Sequence, residues 1–471
     1  MIIVGGGITG LAAAWRLERW ARSGAIQVEL WEASERLGGA IRTHRQGGWV
    51  VEGGPDSLLR RKPQAERLCQ EVGLGDALIG IHPAHRGSYI YHRNRLYPIP
   101  AGLEVGIPTR LGPLLRNPLL SPWGKVRAAA DLIRPGLKPG EDIALGALLS
   151  HRFGRQVVER LAEPLLSGIY AGDLWNMSTA ATFPQFLNWA RQSRSLLRAA
   201  GKARGRRPTA PGAESPFVTV ASGLQTLVER VAEQLSATRV VRGRPATEVI
   251  DASGRFRLKG SDGSEAEAEA VILATPSWAS APILAKAYPQ ASQALQGIPY
   301  TNLAVVGLVF DHAAVPRPLD RTGFLVPRGE GLEITACTWV SAKWAYANPP
   351  SEAVFRVFLG RAHTDVLAHP DGRLLERALS DLEVVMGRFA APPLWSKVFR
   401  VERGLPQYLV GHRARVQAAR QAVSRTPGLF LAGAALDGVG IPDCIRQGEE
   451  AAAAVLAYLG MGGEPLEQPK V

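Results

Sequence analysis

Ile2-Ile3-Val4-Gly5-Gly6-Gly7-Ile8-Thr9-Gly10-Leu11 runs a short apolar strand straight into Gly5-x-Gly7-x-x-Gly10, and an Ala- and Leu-rich helix is predicted from Leu11 towards Arg22. In such a unit Gly5 permits the tight turn, Gly7 lets backbone approach a pyrophosphate, and Gly10 allows close strand–helix packing. The helix start then offers free N–H groups and a positive dipole end to phosphate. A second alternating strand, Ile26-Gln27-Val28-Glu29-Leu30-Trp31, ends at Glu32, where a carboxylate can hold ribose hydroxyls. Strand, helix, strand and acid in this order predict a dinucleotide site rather than a glycine-rich turn.

Working outward, 471 residues suit about three domain-sized units on a prior of ~150 each. A hydrophobic share of 46% is ample for a large core. No apolar run approaches the ~18 residues of a membrane span. The first strand begins at Ile2 and leaves no room for a signal peptide, so a cytoplasmic location is expected. Cys69, Cys337 and Cys444 are odd in number and widely spaced, which suits reduced thiols. In His82-Pro83-Ala84-His85 the proline spoils helical presentation, and no metal site is expected. The net charge of +13 would favour anionic partners, yet no nucleic-acid-binding motif accompanies it, so no nucleic acid partner is expected.

The expected class is α/β (α+β overall). It comprises a discontinuous Rossmann-like domain from residues 1–80, 218–285 and 400–471, a helical lid or membrane-associating region with part of the substrate domain over 81–217, and a mixed-sheet substrate domain over 286–399. Strands are predicted at Val240-Val241, Val249-Ile250, Phe256-Arg257-Leu258, Val271-Ile272-Leu273, Leu303 to Phe310, Ala353 to Leu359 and Leu429-Phe430-Leu431-Ala432-Gly433. A second glycine-lined helix entry, Gly438-Val439-Gly440-Ile441-Pro442-Asp443, precedes a helix expected from Cys444 to Leu459 and must return to the first domain. Ala200 to Pro216 is rich in helix breakers and reads as a surface loop.

Glu32 is followed by Ala33-Ser34-Glu35-Arg36-Leu37-Gly38-Gly39-Ala40-Ile41-Arg42. A glycine pair just after the ribose acid suits backbone that hugs an extended cofactor, with Arg42 able to pair with the pyrophosphate. That pattern predicts an embedded FAD rather than a reversibly bound NAD. Glu52-Gly53-Gly54-Pro55-Asp56-Ser57 reads as a strand ending in a stiff turn of small residues, able to lie close to a flat ring. No second G-x-G-x-x-G follows a strand, so electrons are expected from an organic substrate and pass to another acceptor, most simply molecular oxygen.

Together these three segments resemble the flavin amine oxidase/protoporphyrinogen oxidase superfamily. Glu163 to Asp173, Thr182-Phe183-Pro184-Gln185-Phe186, Ile334 to Trp339, Leu405-Pro406-Gln407-Tyr408-Leu409-Val410-Gly411-His412 and Gly438 to Ile445 look like the bacterial HemY-type porphyrinogen oxidases. The wording is most similar to the monoderm-type coproporphyrinogen III oxidases of haem biosynthesis, with protoporphyrinogen IX oxidation as the alternative. The resemblance implies successive two-electron rounds, each passing hydride from the macrocycle to flavin N5, with oxygen then forming hydrogen peroxide. It implies FAD contacts at Gly5, Gly6, Gly7, Ile8, Thr9 and Gly10, at Glu32 and Ala33, and at Gly38, Gly39, Ala40 and Arg42. Further implied contacts are Gly54, Pro55, Asp56 and Ser57, the Ala246 backbone, and Val439, Gly440 and Ile441. Related enzymes often carry a flavin-side Trp before Leu-Pro-Gln-Tyr, where this chain has Val401-Glu402-Arg403.

Coproporphyrinogen has four propionates, so its pocket needs cations. Arg60, Arg61 and Lys62 follow the flavin-proximal turn, and the resemblance favours Lys62; a solvated basic helix start is the competing reading. Ile169 and Tyr170 are expected to line the pocket or to be core. Tyr97 stands where some plant-type relatives use an arginine. No catalytic side chain is assigned. Gly102 to Pro135 mixes apolar residues and cations, suiting either a lid that rests peripherally on an anionic membrane or packing onto the protein's own core. A haem-pathway enzyme is a further candidate partner. The competing classes are an amine oxidase or carotenoid desaturase on the same scaffold, and a binder resembling GDP-dissociation inhibitors.

Overall fold

The computed structural model describes residues 1–100, 102–104, 106–135, 140, 142–205, 215–252, 254–344 and 348–461. Its centre is a five-stranded parallel sheet in the order Arg239–Val241, Glu29–Trp31, Ile2–Val4, Val271–Leu273, Leu429–Leu431. Three remote parts of the chain therefore build one sheet. Its middle strand is Ile-Ile-Val and buried throughout, as a parallel strand covered on both faces must be. Side chains alternate between the faces. Ile3, Leu30 and Ile272 join the core under the helices Ile8–Arg22, Gln64–Glu71, Gln225–Gln234 and Ile441–Tyr458. Ile2, Val4, Trp31, Val271 and Leu273 join the opposite core, with Ser277–Leu284, Pro289–Gln296, His412–Val423 and an antiparallel meander over Ala246–Asp251, Phe256–Gly260 and Glu265–Ala268.

A seven-stranded mixed sheet forms the second layer, in the order Trp395–Pro406, Tyr300–Asp311, Glu352–Leu359, Ile334–Trp339, Gly323–Leu325, Tyr89–His92, Arg95–Pro98. Ala304, Val306, Leu308 and Phe310 pack under the helix Asp371–Met386 through Leu374, Ala378, Leu382 and Val385. Val305 and Val309 face the other way, onto Trp49 and Val51. Period two in one strand thus seals the sheet to its helix and to the dinucleotide half at once.

A third core is helical, built from Leu145–Phe153, Glu163–Tyr170, Pro184–Gln192 and Leu196–Gly205. The last of these corrects the expected loop from Ala200: the helix runs to Gly205, and Ala200 is fully buried. Asp131 explains it, accepting from the Leu197 N–H at 2.9 Å and the Ser195 hydroxyl at 2.7 Å, which satisfies the helix start. Residues 206–214 of that loop lie outside the described residues. The final helix begins at Ile441, three residues before the expected Cys444, because Pro442 is tolerated in a first turn. The strands Tyr89–His92 and Arg95–Pro98 pair into the mixed sheet, Trp395–Pro406 runs unbroken through residue 400, and Pro289–Gln296 packs beneath the parallel sheet.

Ile107, Leu114, Leu119 and Leu120 are buried in the helical core, whereas Leu115, Trp123, Val126 and Ile133 are exposed. The Gly102–Pro135 segment thus splits its apolar residues between core and surface. No helix among the described residues is long and apolar enough to cross a membrane. All three cysteines are buried.

Candidate active site

The Gly5–Gly10 loop is compressed to the limit that glycine allows. Gly5 has φ +108°, and a Cβ built on Gly10 would stand 1.9 Å from the Gly5 carbonyl oxygen. Gly7 is the opposite case, with nothing within 4 Å of its missing side chain. Its open side is room for a ligand against bare backbone. The helix Ile8–Arg22 starts on Gly7, and the final helix starts on Gly440; among the described residues no side chain caps either start. Their first N–H groups are left to a ligand. The two helices cross at Gly448, where a Cβ would lie 2.2 Å from the Thr9 carbonyl oxygen.

Glu32 is fixed at its strand end. One carboxylate oxygen accepts from the Gly6 N–H at 2.7 Å, the other from the Ser34 N–H at 2.9 Å and hydroxyl at 2.8 Å. Gly38 and Gly39, both at positive φ, lay the next loop against the first: the Gly38 N–H donates to the Gly6 carbonyl at 2.8 Å. Arg36, on the same loop, donates to the carbonyls of Leu37, Gly39 and Ile41, while Arg42 is exposed. Gly54 comes in beneath this loop, a Cβ there standing 2.0 Å from the Ala40 carbonyl. Glycines from three chain segments thus bring three loops into close backbone contact beside the open face of Gly7. Bare backbone of this kind is what an extended dinucleotide lies against.

The turn from Glu52 to Ser57 is held by residues that the local motifs did not reveal. Arg356, almost fully buried, donates to the Glu52 carbonyl at 2.6 Å and to the Gly54 carbonyl, and meets the Asp56 carboxylate at 3.0 Å. Lys343 joins the same carboxylate at 2.9 Å. Burial by itself would raise the Asp56 carboxyl, but the ammonium and guanidinium outweigh it and hold it far below the usual carboxylate range. Glu52 goes the other way. Burial pushes it up to about 7, against hydrogen bonds from the Leu224 N–H and the Thr43 hydroxyl. The available signal was a charge inside an apolar strand: Arg356 interrupts Ala353-Val354-Phe355 and Val357-Phe358-Leu359.

At the other end, Tyr408 ties the Gly438 loop to the helical core. Its hydroxyl donates to the Ala434 carbonyl at 2.6 Å and accepts the Gly438 N–H at 2.8 Å. His412 stacks on the Tyr408 ring at 3.9 Å, and its Nε2 meets the Leu436 carbonyl at 2.9 Å. Tyr170 lies 5.8 Å from Tyr408 and edge-on to Phe183. Burial, then the charge of Asp443, pushes its hydroxyl well above the ordinary phenol range. The Ile169 side chain lies outside the described residues.

Lys62 reaches the final helix, its ammonium 2.6 Å from both carboxylate oxygens of Asp443. Arg60 pairs with Glu66 at 3.2 Å, and Arg61 is exposed. Tyr97 packs against the helical core. Ala246 opens the meander strand Ala246–Asp251, and Val439 packs on the helical core beside Tyr408. Arg403, on the segment where relatives often have a Trp, lies over the Trp278 ring at 5.4 Å. The His82 and His85 rings lie 4.8 Å apart, tilted by 33°, and among the described residues no group of three metal-ligating side chains forms.

A Rossmann-type parallel sheet, glycine loops in close backbone contact and two uncapped helix starts define a dinucleotide-binding protein of the Rossmann class. The chain belongs to the family of flavin-containing amine oxidoreductases, whose sequence pattern matches residues 8–456, and its cofactor is FAD. It is 38% identical over 467 residues to the coproporphyrinogen III oxidase of Bacillus subtilis (strain 168), covering 98% of each chain. It is 33% identical to the coproporphyrinogen III oxidase of Staphylococcus aureus, covering 97% of this chain and 99% of that one. A crystal structure from Exiguobacterium sp. 255-15, described as a candidate protoporphyrinogen oxidase, superposes with a TM-score of 0.85 at 37% identity, covering 98% of each chain. Reduced UDP-galactopyranose mutase shares the fold, with a TM-score of 0.72 at 17% identity over 98% of this chain.

Proposed function

We propose that this chain oxidises coproporphyrinogen III to coproporphyrin III in haem biosynthesis, with oxygen as acceptor and hydrogen peroxide as by-product. The likeness to coproporphyrinogen III oxidases along nearly the whole chain carries the reading. Bound FAD supplies a hydride acceptor, and the protein supplies position and exclusion of water. In this reading Gly5 to Gly10, Glu32, Gly38 to Arg42 and Gly54 to Ser57 hold the cofactor, and Tyr408 keeps the Gly438 loop in register beside it. Tyr170, neutral and buried against Phe183, gives the substrate an apolar wall. Lys62 is the propionate anchor. Since it rests on Asp443, an incoming propionate competes with that carboxylate for the ammonium.

A cytoplasmic location with peripheral membrane contact fits the surface around the short helices Leu111–Arg116 and Pro122–Ala129. Leu115, Trp123, Val126 and Ile133 are exposed there, Trp123 to 75% and Ile133 to 87%, beside Arg116 and Lys125. The same patch is where a haem-pathway enzyme receiving the product would dock.

Protoporphyrinogen IX is the second reading, favoured by 28% identity to the chloroplastic protoporphyrinogen oxidase 1 of Arabidopsis thaliana over 97% of this chain. Anaerobic mixing with each porphyrinogen decides between them. Flavin bleaching by coproporphyrinogen III, followed by porphyrin fluorescence when air is admitted, is the expected result. Faster bleaching by protoporphyrinogen IX transfers the assignment to the second reading, and no bleaching by either removes both.

A further inference from the structure

Behind the Glu52–Ser57 turn lies a charge cluster assembled from two parts of the fold, with Arg356 buried and Asp56 and Lys343 half-buried. Arg356 comes from the middle of the mixed sheet and is 1% exposed; Lys343 comes from the short helix Val340–Lys343 that leads away from the same sheet. Both converge on Asp56, at 3.0 and 2.9 Å, and Ser57 donates its hydroxyl to the second Asp56 oxygen at 2.9 Å. Drawing three charges largely out of water is costly, and a brace for the turn would need only Arg356, whose fork already holds the Glu52 and Gly54 carbonyls. Lys343 is surplus to that bracing. Two cations on one anion leave a single net positive charge in a low-dielectric interior, where its field is weakly screened.

We propose that Arg356 and Lys343 are positioning residues for the flavin: Arg356 fixes the turn on which the ring rests, and Lys343 leaves a positive charge behind it that eases flavin reduction. This rests on the reading that residues 53–57 lie against the flavin. A positive charge near the ring favours the electron-rich reduced form over the oxidised one. Glu52 modulates the field, because its ionised carboxylate cancels the surplus charge. No proton or electron passes through the cluster itself; it biases the equilibrium of hydride transfer from substrate to the flavin.

The roles separate by substitution. Lys343→Met removes the charge and keeps an apolar stem; it is expected to lower the flavin midpoint potential by about 30 mV, a tenfold change in the two-electron equilibrium, with FAD affinity changed less than threefold. Arg356→Lys keeps the charge and loses the fork; it is expected to weaken FAD binding about tenfold and leave the potential near wild type. The readouts are spectroelectrochemical titration of the flavin and fluorescence titration of apoprotein with FAD. An unchanged potential in Lys343→Met overturns the electrostatic role, and unchanged FAD affinity in Arg356→Lys overturns the clamp. Deuterium exchange into residues 53–57, with and without FAD, tests the underlying reading separately. Protection by FAD with no effect of either substitution defeats the inference alone, whereas absence of protection defeats the reading that the turn faces the flavin.

Discussion

Tyr408→Phe isolates one hydroxyl with two measurable duties. In the native structure Tyr408 is 1% exposed, and its oxygen accepts the Gly438 N–H at 2.8 Å while its proton goes to the Ala434 carbonyl at 2.6 Å. Burial raises the phenol well above its ordinary range, so the hydroxyl keeps the proton it donates at any working pH. Phenylalanine preserves the stacking on His412 and the packing near Tyr170. What it removes is the partner of one N–H and one C=O, each costing about 1–3 kcal/mol when left unpaired in the interior. Partial relaxation of the loop should leave about 2–4 kcal/mol of that penalty. Gly438 and Gly440 lead into the final helix, so part of it should appear as weaker cofactor binding. A share of about 1.4 kcal/mol corresponds to tenfold in FAD dissociation constant. The assay is fluorescence titration of apoprotein with FAD, paired with urea unfolding of the apoprotein. The expected result is FAD affinity about tenfold weaker and apoprotein destabilised by about 1–2 kcal/mol. FAD affinity within twofold of wild type would refute the claim that this hydroxyl organises the Gly438 loop.

Three other predictions follow from buried groups. Glu52 has a folded value of about 7 against 4.5 for the free group, so its contribution to stability is complete below pH 4.5 and is lost as pH rises through 7, about 3 kcal/mol in all. Glu52→Gln should flatten this part of the profile, and equal wild-type and variant differences in urea unfolding energy between pH 5 and pH 8 would count against it. Gly448→Ala places a methyl 2.2 Å from the Thr9 carbonyl, forcing the two cofactor-facing helices apart. Its cost should be about 1–3 kcal/mol by chemical denaturation together with weaker FAD binding, and a variant with wild-type stability and wild-type FAD affinity contradicts the packing argument. Asp131→Ala strips the partner from Arg152, which is paired at 2.5 Å and buried, and should destabilise the helical core by about 3–5 kcal/mol. Deuterium exchange should rise first in Leu196–Gly205, whose start Asp131 caps; uniform exchange across the chain would argue against a local effect.

The dinucleotide unit was legible from residues alone because its requirements are local. Gly5 needs positive φ, Gly10 must let a carbonyl approach, and Ile2-Ile3-Val4 must be apolar on both faces; each condition is met within ten residues of chain. The strands at Val271–Leu273 and Leu429–Leu431 were legible for the same reason, and the parallel sheet received both. The Ala200 segment misled because helix breakers were weighed without the buried Asp131 carboxylate that secures the helix start from 64 and 66 residues away in sequence.

Sequence by itself determined the nucleotide-binding class, the order of strands and helices around it, and the glycine positions where backbone approaches a ligand. Tertiary structure decided which charges meet. Lys343 and Arg356 reach Asp56 across more than 280 residues of chain, Lys62 reaches Asp443 across 381, and Tyr408 secures a loop that begins at Ala434. The physical reason is range. Backbone conformation and hydrophobic period are set by neighbours along the chain, whereas an ion pair or a buried hydroxyl is set by whichever segment the folded layers bring alongside, and only the packed core specifies that.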